Sequence, residues 1–489
     1  MAQASLSQDL ASGDEVTIAV SGNVSRKNAA DPVYLNVSDA AGRFAAVETM
    51  SVSAGSFSFN LTTRSTLEAG NVIGTVEVRA CKDVQCSQPY AGATMNIPYT
   101  LRVGAVDEWT MHQRDAVHSG YVPVVLNPAK FAKAWEWSHL ASDPIGGINP
   151  VVTSAGKVMV TADVYFGNGV VYALSEADGK QLWERSLGRV PAMGPPAVSN
   201  GKVFVPVTGH QDTFLWTIDA ADGNIMFKSA FESQWPHVLA PTVMGDQVVV
   251  GAGYYGGETY SFNAATGARN WVHSAGGVWD MYSPAADAKY YYHHNGQSLF
   301  IINRSTGVTE AEIEDLLGKR DGYSYHGGPL LGARNNAISY AGGAYSGRAS
   351  SNAEQYDQRV LSSFDLAARK YQWSTGSAYL TVPALANGVL YAGRNAPASL
   401  DAIDEATGKV LWSWTPPGDG ETFHRNIIAT RNLLLFSTDQ KVYALDLASK
   451  KVVWTYPQPG MLALSANRTL YIATGARESD GKLVAVRLK

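Results

Sequence analysis

The side chains best suited to chemistry in this chain are aromatics, histidines and arginines lying between runs of alternating apolar residues. They are Trp235 and His237; Trp279, Asp280 and Tyr282; Tyr325 and His326; Tyr379; and Phe423, His424 and Arg425. Flat rings stack on sugars or on apolar peptide side chains, while Arg and His add charge and directional hydrogen bonds. The same types could neutralise a carboxylate and abstract a proton, with Tyr325, His326, His424 and Arg425 as the group to suspect. Each also has a structural role open to it, as a hydrogen-bond partner of neighbouring loops. Tyr165, His210, Tyr254, Tyr255, His293, His294 and Arg348 belong to a second set of expected loops. His293 and His294 are adjacent, so on a strand they point to opposite faces and do not ligate one metal together. No metal site and no catalytic residue is assigned.

A repeat positions these residues. The stretch VYALSEADGKQLW from Val171 to Trp183 recurs as TIDAADGNIMF to Phe227, YSFNAATGARNW to Trp271, DAIDEATGKVLW to Trp412 and YALDLASKKVVW to Trp454. Repetition at roughly 40 to 45 residues predicts a propeller or solenoid. The position four residues after the turn glycine holds Trp183, Phe227, Trp271, Ala311, Trp373, Trp412 and Trp454, with Arg369 and Lys450 replacing the glycine in two units. That gives seven closings. The C-terminal stretch from Leu462 to Lys489 supplies three strands without a fourth, and Phe131–Trp137 is a fourth-type strand with none before it. Joined, they make an eighth blade, and the ring leaves no open sheet end. In the first blade the strands are expected at Pro150–Thr153, Lys157–Thr161, Val170–Leu174 and Gln181–Ser186. Reversal of direction at each strand puts the tight turns on one face and the longer connections, with the chemistry-bearing residues, on the other. The tryptophans read as packing between blades and the glycines as turn residues.

The chain of 489 residues is 17% charged and holds 47 glycines and 24 tyrosines, a balance that fits short strands and tight turns. Its net charge of -5 and lack of a Lys/Arg-rich run exclude a nucleic-acid partner. There is no apolar run long enough to span a membrane, and the opening MAQASLSQDL lacks a basic start and an apolar core, so the expectation is that a signal peptide either was removed or never existed. Cys81 and Cys86 read as a local disulfide, which places the protein in the periplasm, at the cell surface or outside the cell; reduced thiols are the alternative. Up to residue 105 the chain alternates without the repeat, from Val16, Val33, Ser56, Val72 and Asn96, which predicts a small immunoglobulin-like β-sandwich. The expected organisation is a sandwich over 1–105 and an eight-bladed β-propeller over 106–489, an all-β protein.

Between the two lies WTMHQRDAVHSGYVP from Trp109. Its Arg114, Asp115, His118, Ser119 and Gly120 resemble the lead-in that precedes the first blade in proteins of the pyrroloquinoline-quinone (PQQ) repeat family, and the YAL(D/S)xx(T/D)GKxLW unit resembles that family's repeat. Arg114 and Asp115 are expected to pin this segment across the disc. The resemblance implies an eight-bladed ring in which the recurring Trp docks one blade on the next. It implies one of two roles: a quinoprotein dehydrogenase, with PQQ under a vicinal disulfide, Ca²⁺ and a catalytic Asp, or a non-enzymatic scaffold of the bacterial outer-membrane β-barrel assembly machinery. The propeller region contains no cysteine, and Asp280 is the one obvious acidic channel candidate, so the sequence does not support PQQ or Ca²⁺. The expectation is a non-catalytic extracytoplasmic binding or scaffold protein with a protein or carbohydrate partner, in a membrane-associated complex. The enzymatic alternative is an atypical PQQ-dependent oxidoreductase or a propeller-type polysaccharide lyase.

Overall fold

The computed structural model describes residues 5–25, 28, 31–52, 55–138, 147–162, 164, 166–209, 213–233, 240–251, 258–274, 284–318, 328–341, 359–418, 420–474 and 481–489. The chain divides into two compact units, one of Met1–Val106 with Pro123–Leu126 and one of Asp107–Val122 with Asn127–Lys489. Among the described residues both are built from strands. Among the described residues the one helical element is a 3₁₀ turn at Pro128–Lys130, and no helix is long and apolar enough to cross a membrane.

In the smaller unit a five-stranded sheet runs Leu6–Ala11, Pro89–Gly104, Gly70–Cys81, Tyr34–Asp39, Met50–Ser51 in spatial order, and Thr17–Asn23 pairs with Ser56–Thr62 as a second sheet. Alternation drives this: Val76, Val78, Ile97, Tyr99 and Leu101 point inward and join Leu35, Phe59 and Leu61 in one core. Leu6–Ala11 runs parallel to the long neighbouring strand. Buried Asp14 accepts the amides of Ala11 and Val125, both at 2.9 Å, which ties the returning segment 123–126 into this unit. Cys81 and Cys86 form a disulfide beside the hairpin that joins the two longest strands.

The larger unit holds eight antiparallel sheets among the described residues, each with four strands except the second, which gains Ala192–Met193 as a fifth; in the first seven the four main strands follow sequence order. Blade 1 is Val152–Ser154, Lys157–Thr161, Gly167–Ser175 and Gln181–Val190. The innermost strands of blades 2 to 7 are Ala197–Ser199, Thr242–Met244, Ala285–Ala286, Leu330–Leu331, Ala384–Ala386 and Phe423–Ala429. Blade 8 is composite: Met461–Leu464, Thr469–Thr474 and Lys482–Arg487 take Ala132–Ser138 as their outer strand.

The outer edge of each blade docks on the next. The rings of Trp135, Trp183, Phe227, Trp271 and Trp373 cover the turn glycines Gly179, Gly223, Gly267, Gly307 and Gly408 of the following blade, where a Cβ would fall 2.5 to 2.7 Å from ring atoms. Four of the indoles also donate across the joint, Trp135, Trp183, Trp271 and Trp373 to the carbonyls of Glu176, Ala220, Arg304 and Glu405. Burying such a ring contributes about 1.5–3 kcal/mol. The ring-closing joint is reinforced by buried Glu176 of blade 1, whose carboxylate accepts from Ser465 and, at 2.8 Å, from Asn467 of blade 8.

Candidate functional site

The segment after Trp109 crosses the propeller's central channel, and the innermost strands hold it there. Its carbonyls at Trp109, Thr110, Ala116, Val117, Ser119 and Gly120 accept amides of Thr153, Val198, Ala286, Leu331, Leu385 and Ala429 at 2.7 to 2.9 Å. Those donors belong to blades 1, 2, 4, 5, 6 and 7. Each lies within a few residues of the tight turn that ends its strand, such as Ala155–Gly156, Asn200–Gly201 and Asn387–Gly388, all at positive φ. The segment therefore crosses the channel at the tight-turn face.

Its own fold is fixed by charge. The Arg114 guanidinium bonds the Tyr121 carbonyl at 2.8 Å and pairs with Asp115 at 3.2 Å and Asp107 at 3.3 Å, while Asp115 accepts from the backbone and hydroxyl of Ser119. Arg114 and Asp115 thus pin the crossing, in the structural role expected from the sequence. Gln113, Arg114 and His118 all adopt positive φ, of 50°, 83° and 58°. Non-glycine residues rarely do so, and the conformation persists where surrounding bonds over-determine it.

This backbone aims three side chains into the channel. Gln113 donates to Pro383 O at 2.8 Å and accepts from Asn426 at 3.0 Å, and Asn426 in turn bonds both the amide and the carbonyl of Leu462. His118 is buried, with Nδ1 2.8 Å from Pro329 O and Nε2 3.5 Å from Thr242 Oγ1 in blade 3. His112 lines two cavities on opposite sides of the channel. One is bounded by Pro150, Pro195 and Met461, the other by Leu330, Tyr340 and Pro383. The two imidazoles meet edge to face with centroids 5.3 Å apart. Burial, and for His112 also the neighbouring His118, depresses their pKa values to about 3 and about 4, so both are neutral at physiological pH.

The sequence-derived candidates fare unevenly. Trp235, His237, Trp279, Asp280, Tyr282, Tyr325 and His326 lie outside the described residues, as do Tyr165, His210, Tyr254, Tyr255 and Arg348. Tyr379 is no rim residue: it ends the strand Lys370–Tyr379, is fully buried, and donates to Asp401 at 2.9 Å. Asp401 also accepts from Arg394 and Ser399, so this cluster is a closed structural network. His424 and Arg425 belong to the innermost strand of blade 7 rather than to a loop, and the Arg425 carbonyl accepts the Val382 amide at 3.2 Å. His293 and His294 likewise end a buried strand, Tyr290–His294. They do face opposite ways, His293 toward Thr259 of blade 3 and His294 toward Asp315, which itself bonds Ser362 of blade 5. His112 and Gln113 were not singled out from the sequence; their adjacency to the lead-in Arg was the available signal.

Eight radial sheets, a docking aromatic at most joints and a segment threaded through the channel define an eight-bladed β-propeller of the PQQ-repeat type. A family described as outer membrane protein assembly factor BamB matches residues 167–413 and 356–489, and the chain belongs to this family. Among solved structures it is similar to BamB from Moraxella catarrhalis, at TM-score 0.52 and 16% identity over 73% of this chain and 98% of that one. It is similar also to a europium-containing methanol dehydrogenase, at TM-score 0.57 and 13% identity over 78% and 98% of the two chains. At these identities the likeness shows the fold. Curated relatives include the tetrathionate hydrolase of Acidithiobacillus ferrooxidans, 22% identical over 70% of this chain and 78% of that protein. The dehydrogenase subunit of a quinone alcohol dehydrogenase of Gluconobacter oxydans is 30% identical over 30% of this chain, which spans about a fifth of that subunit, 20%.

Proposed function

We propose that the protein is a non-catalytic extracytoplasmic binding or scaffold protein that presents the loop-bearing face of its propeller to a protein or glycan partner. The observation that carries this reading is the threaded segment 109–122. By bonding six innermost strands at their tight-turn ends it occupies one face, which leaves the other for recognition, the face on which the sequence is expected to carry Trp235, His237, Trp279, Asp280, Tyr282, Tyr325 and His326. The disulfide at Cys81–Cys86 and the family's outer-membrane description support an extracytoplasmic, membrane-associated setting. Neither PQQ nor Ca²⁺ has a part in this reading. Cross-linking in envelope preparations tests it: a discrete adduct should form and be lost with Trp279→Ala or Tyr325→Ala while the thermal melt is unchanged. Adducts indifferent to both substitutions would overturn it.

One finding favours a second reading, an enzyme, because the likeness to a tetrathionate hydrolase extends over most of both chains. Purified protein that consumes tetrathionate, or that gains thermal stability with PQQ and Ca²⁺, would support it. Inertness in both assays would exclude those two activities.

A further inference from the structure

We propose that blades 5 to 8 carry, where the tight-turn face meets the outer edge of the disc, a docking surface for an anionic phospholipid bilayer. In each blade the pairing of the two outermost strands slips by one residue just past the turn, and the extra residue is left out of the ladder. In the outer strands Val410–Trp414 of blade 6 and Val452–Tyr456 of blade 7 this residue is Leu411 and Val453, 54% and 42% exposed. Val410 beside the first is 45% exposed. Blades 1 and 2 show aliphatic side chains at the same place, Leu182 and Met226, and there charge separates the blades. Lys409 and Lys451 stand two residues before Leu411 and Val453, are exposed, and form no ion pair among the described residues; Lys370 of blade 5 does the same. The corresponding Lys180 of blade 1 is paired with Asp178 at 2.8 Å, and blade 2 has Asn224 there, bonded to Asp222.

The tight turns of blades 5 to 8 hold nine Lys or Arg against four Asp or Glu, whereas those of blades 1 to 4 hold six against six. The four acids face back onto backbone or hydroxyl groups of the turns. Asp365 accepts the Ala368 amide at 2.8 Å, Asp404 the Thr407 hydroxyl at 2.7 Å and Asp446 the Ser449 amide at 2.7 Å, while buried Glu405 accepts the Arg334 amide at 3.1 Å. Lysines beside exposed aliphatic side chains, backed by half-buried Trp412, Trp414, Trp454 and Tyr456 on the same strands, form the combination that settles at a lipid headgroup layer. The ammonium groups meet phosphates, and the aliphatic groups reach the acyl boundary. The cations come from four successive blades, an extended arc that matches a plane of many phosphates better than one small anion. Because the whole chain carries a net charge of -5, attraction acts through this sector and orients the disc with it toward the lipid. The surface is separate from the loop-bearing face, and the inference does not depend on the partner assigned there.

The test is flotation of the purified full-length protein with vesicles of phosphatidylglycerol and phosphatidylethanolamine, and with vesicles of phosphatidylcholine alone. Binding to the anionic vesicles should appear at about 0.05 M salt and fall steeply by about 0.5 M, with none to phosphatidylcholine. Lys409→Glu combined with Lys451→Glu should weaken it by about tenfold or more, and Leu411→Asn combined with Val453→Asn by about threefold or more. All four side chains are exposed, so the thermal melt should be unchanged in both variants. Lys157→Glu combined with Lys202→Glu, in the balanced sector, should bind as the wild type does. Absence of binding to anionic vesicles, or binding indifferent to the Lys409 and Lys451 substitutions, overturns the proposal, and so does an equal loss in the Lys157 and Lys202 variant. Capture on immobilised polyglutamate without any vesicle binding would make an acidic protein the partner and overturn it likewise.

Discussion

The propeller is held together at two radii by different physics. At the outer edge, an aromatic ring of one blade covers the turn glycine of the next, a contact made of buried area and close packing. At the axis, a single strand of chain bonds six blades through backbone hydrogen bonds and carries two imidazoles, His118 buried and His112 half-buried. The outer joint is repeated and the inner one is unique. What the difference teaches is that the repeat's Trp and Gly are two halves of a contact between blades. The exceptions obey the same rule. Ala311 replaces the aromatic of blade 4, and the following turn carries Arg369 at φ 52° in place of glycine, bonding the Glu310 carbonyl at 3.1 Å. Lys450, at φ 57°, likewise replaces a glycine, and its ammonium sits 4.4 Å from the centre of the Trp412 ring.

If the outer joint dominates stability, Trp135→Ala at the ring-closing blade should cost about 3–5 kcal/mol, read by chemical denaturation. A loss below 1 kcal/mol would shift the weight of closure to the axis. Acid separates the two radii next. The folded state holds His112 and His118 at about 4 or below, whereas unfolded histidines titrate near 6.5, so unfolded chains bind more protons in that window. Stability should be complete above pH 6.5 and fall progressively as pH drops toward 4, with His112→Phe flattening part of the slope. An unchanged slope would remove the imidazoles from the account. Gly223→Ala should cost about 1–3 kcal/mol, because the residue has φ 75° and the new methyl meets the Trp183 ring. The smallest effect is expected at the exceptional joint: Ala311→Trp and Arg369→Gly should each destabilise or do nothing alone, yet couple favourably by about 0.5–1 kcal/mol together. Additivity there would mean the pair does not act as a unit.

Much of this architecture is legible in the linear chain, because a docking aromatic and a turn residue recur at fixed spacing and betray each blade. The composite eighth blade follows from counting strands. The axis is not legible in the same way. His112 lies in a segment with no periodicity, and its neighbours come from blades far along the sequence. Tyr379 and Arg425 show a different obstacle. The strand Lys370–Tyr379 is twice as long as Val410–Trp414, and Phe423–Ala429 is longer than the other innermost strands, so residues expected at a loop fall inside sheets. The partner that buries Tyr379 is Asp401, 22 residues away. The immunoglobulin-like character expected for 1–105 rests on alternation alone. The observed unit is a five-stranded sheet and a two-stranded sheet with one parallel edge pair.

The composite blade also sets an order of events during synthesis. Ala132–Ser138 emerges from the ribosome long before its partner Lys482–Arg487, with seven blades made between them. Until that partner is made, one strand waits with an unpaired edge, the Trp135 indole has Gly179 to cover but no sheet of its own, and Glu176 lacks Ser465 and Asn467. The nascent chain therefore carries an adhesive edge while seven blades are made, so a holding chaperone matters more for this protein than for one whose blades each close as they appear.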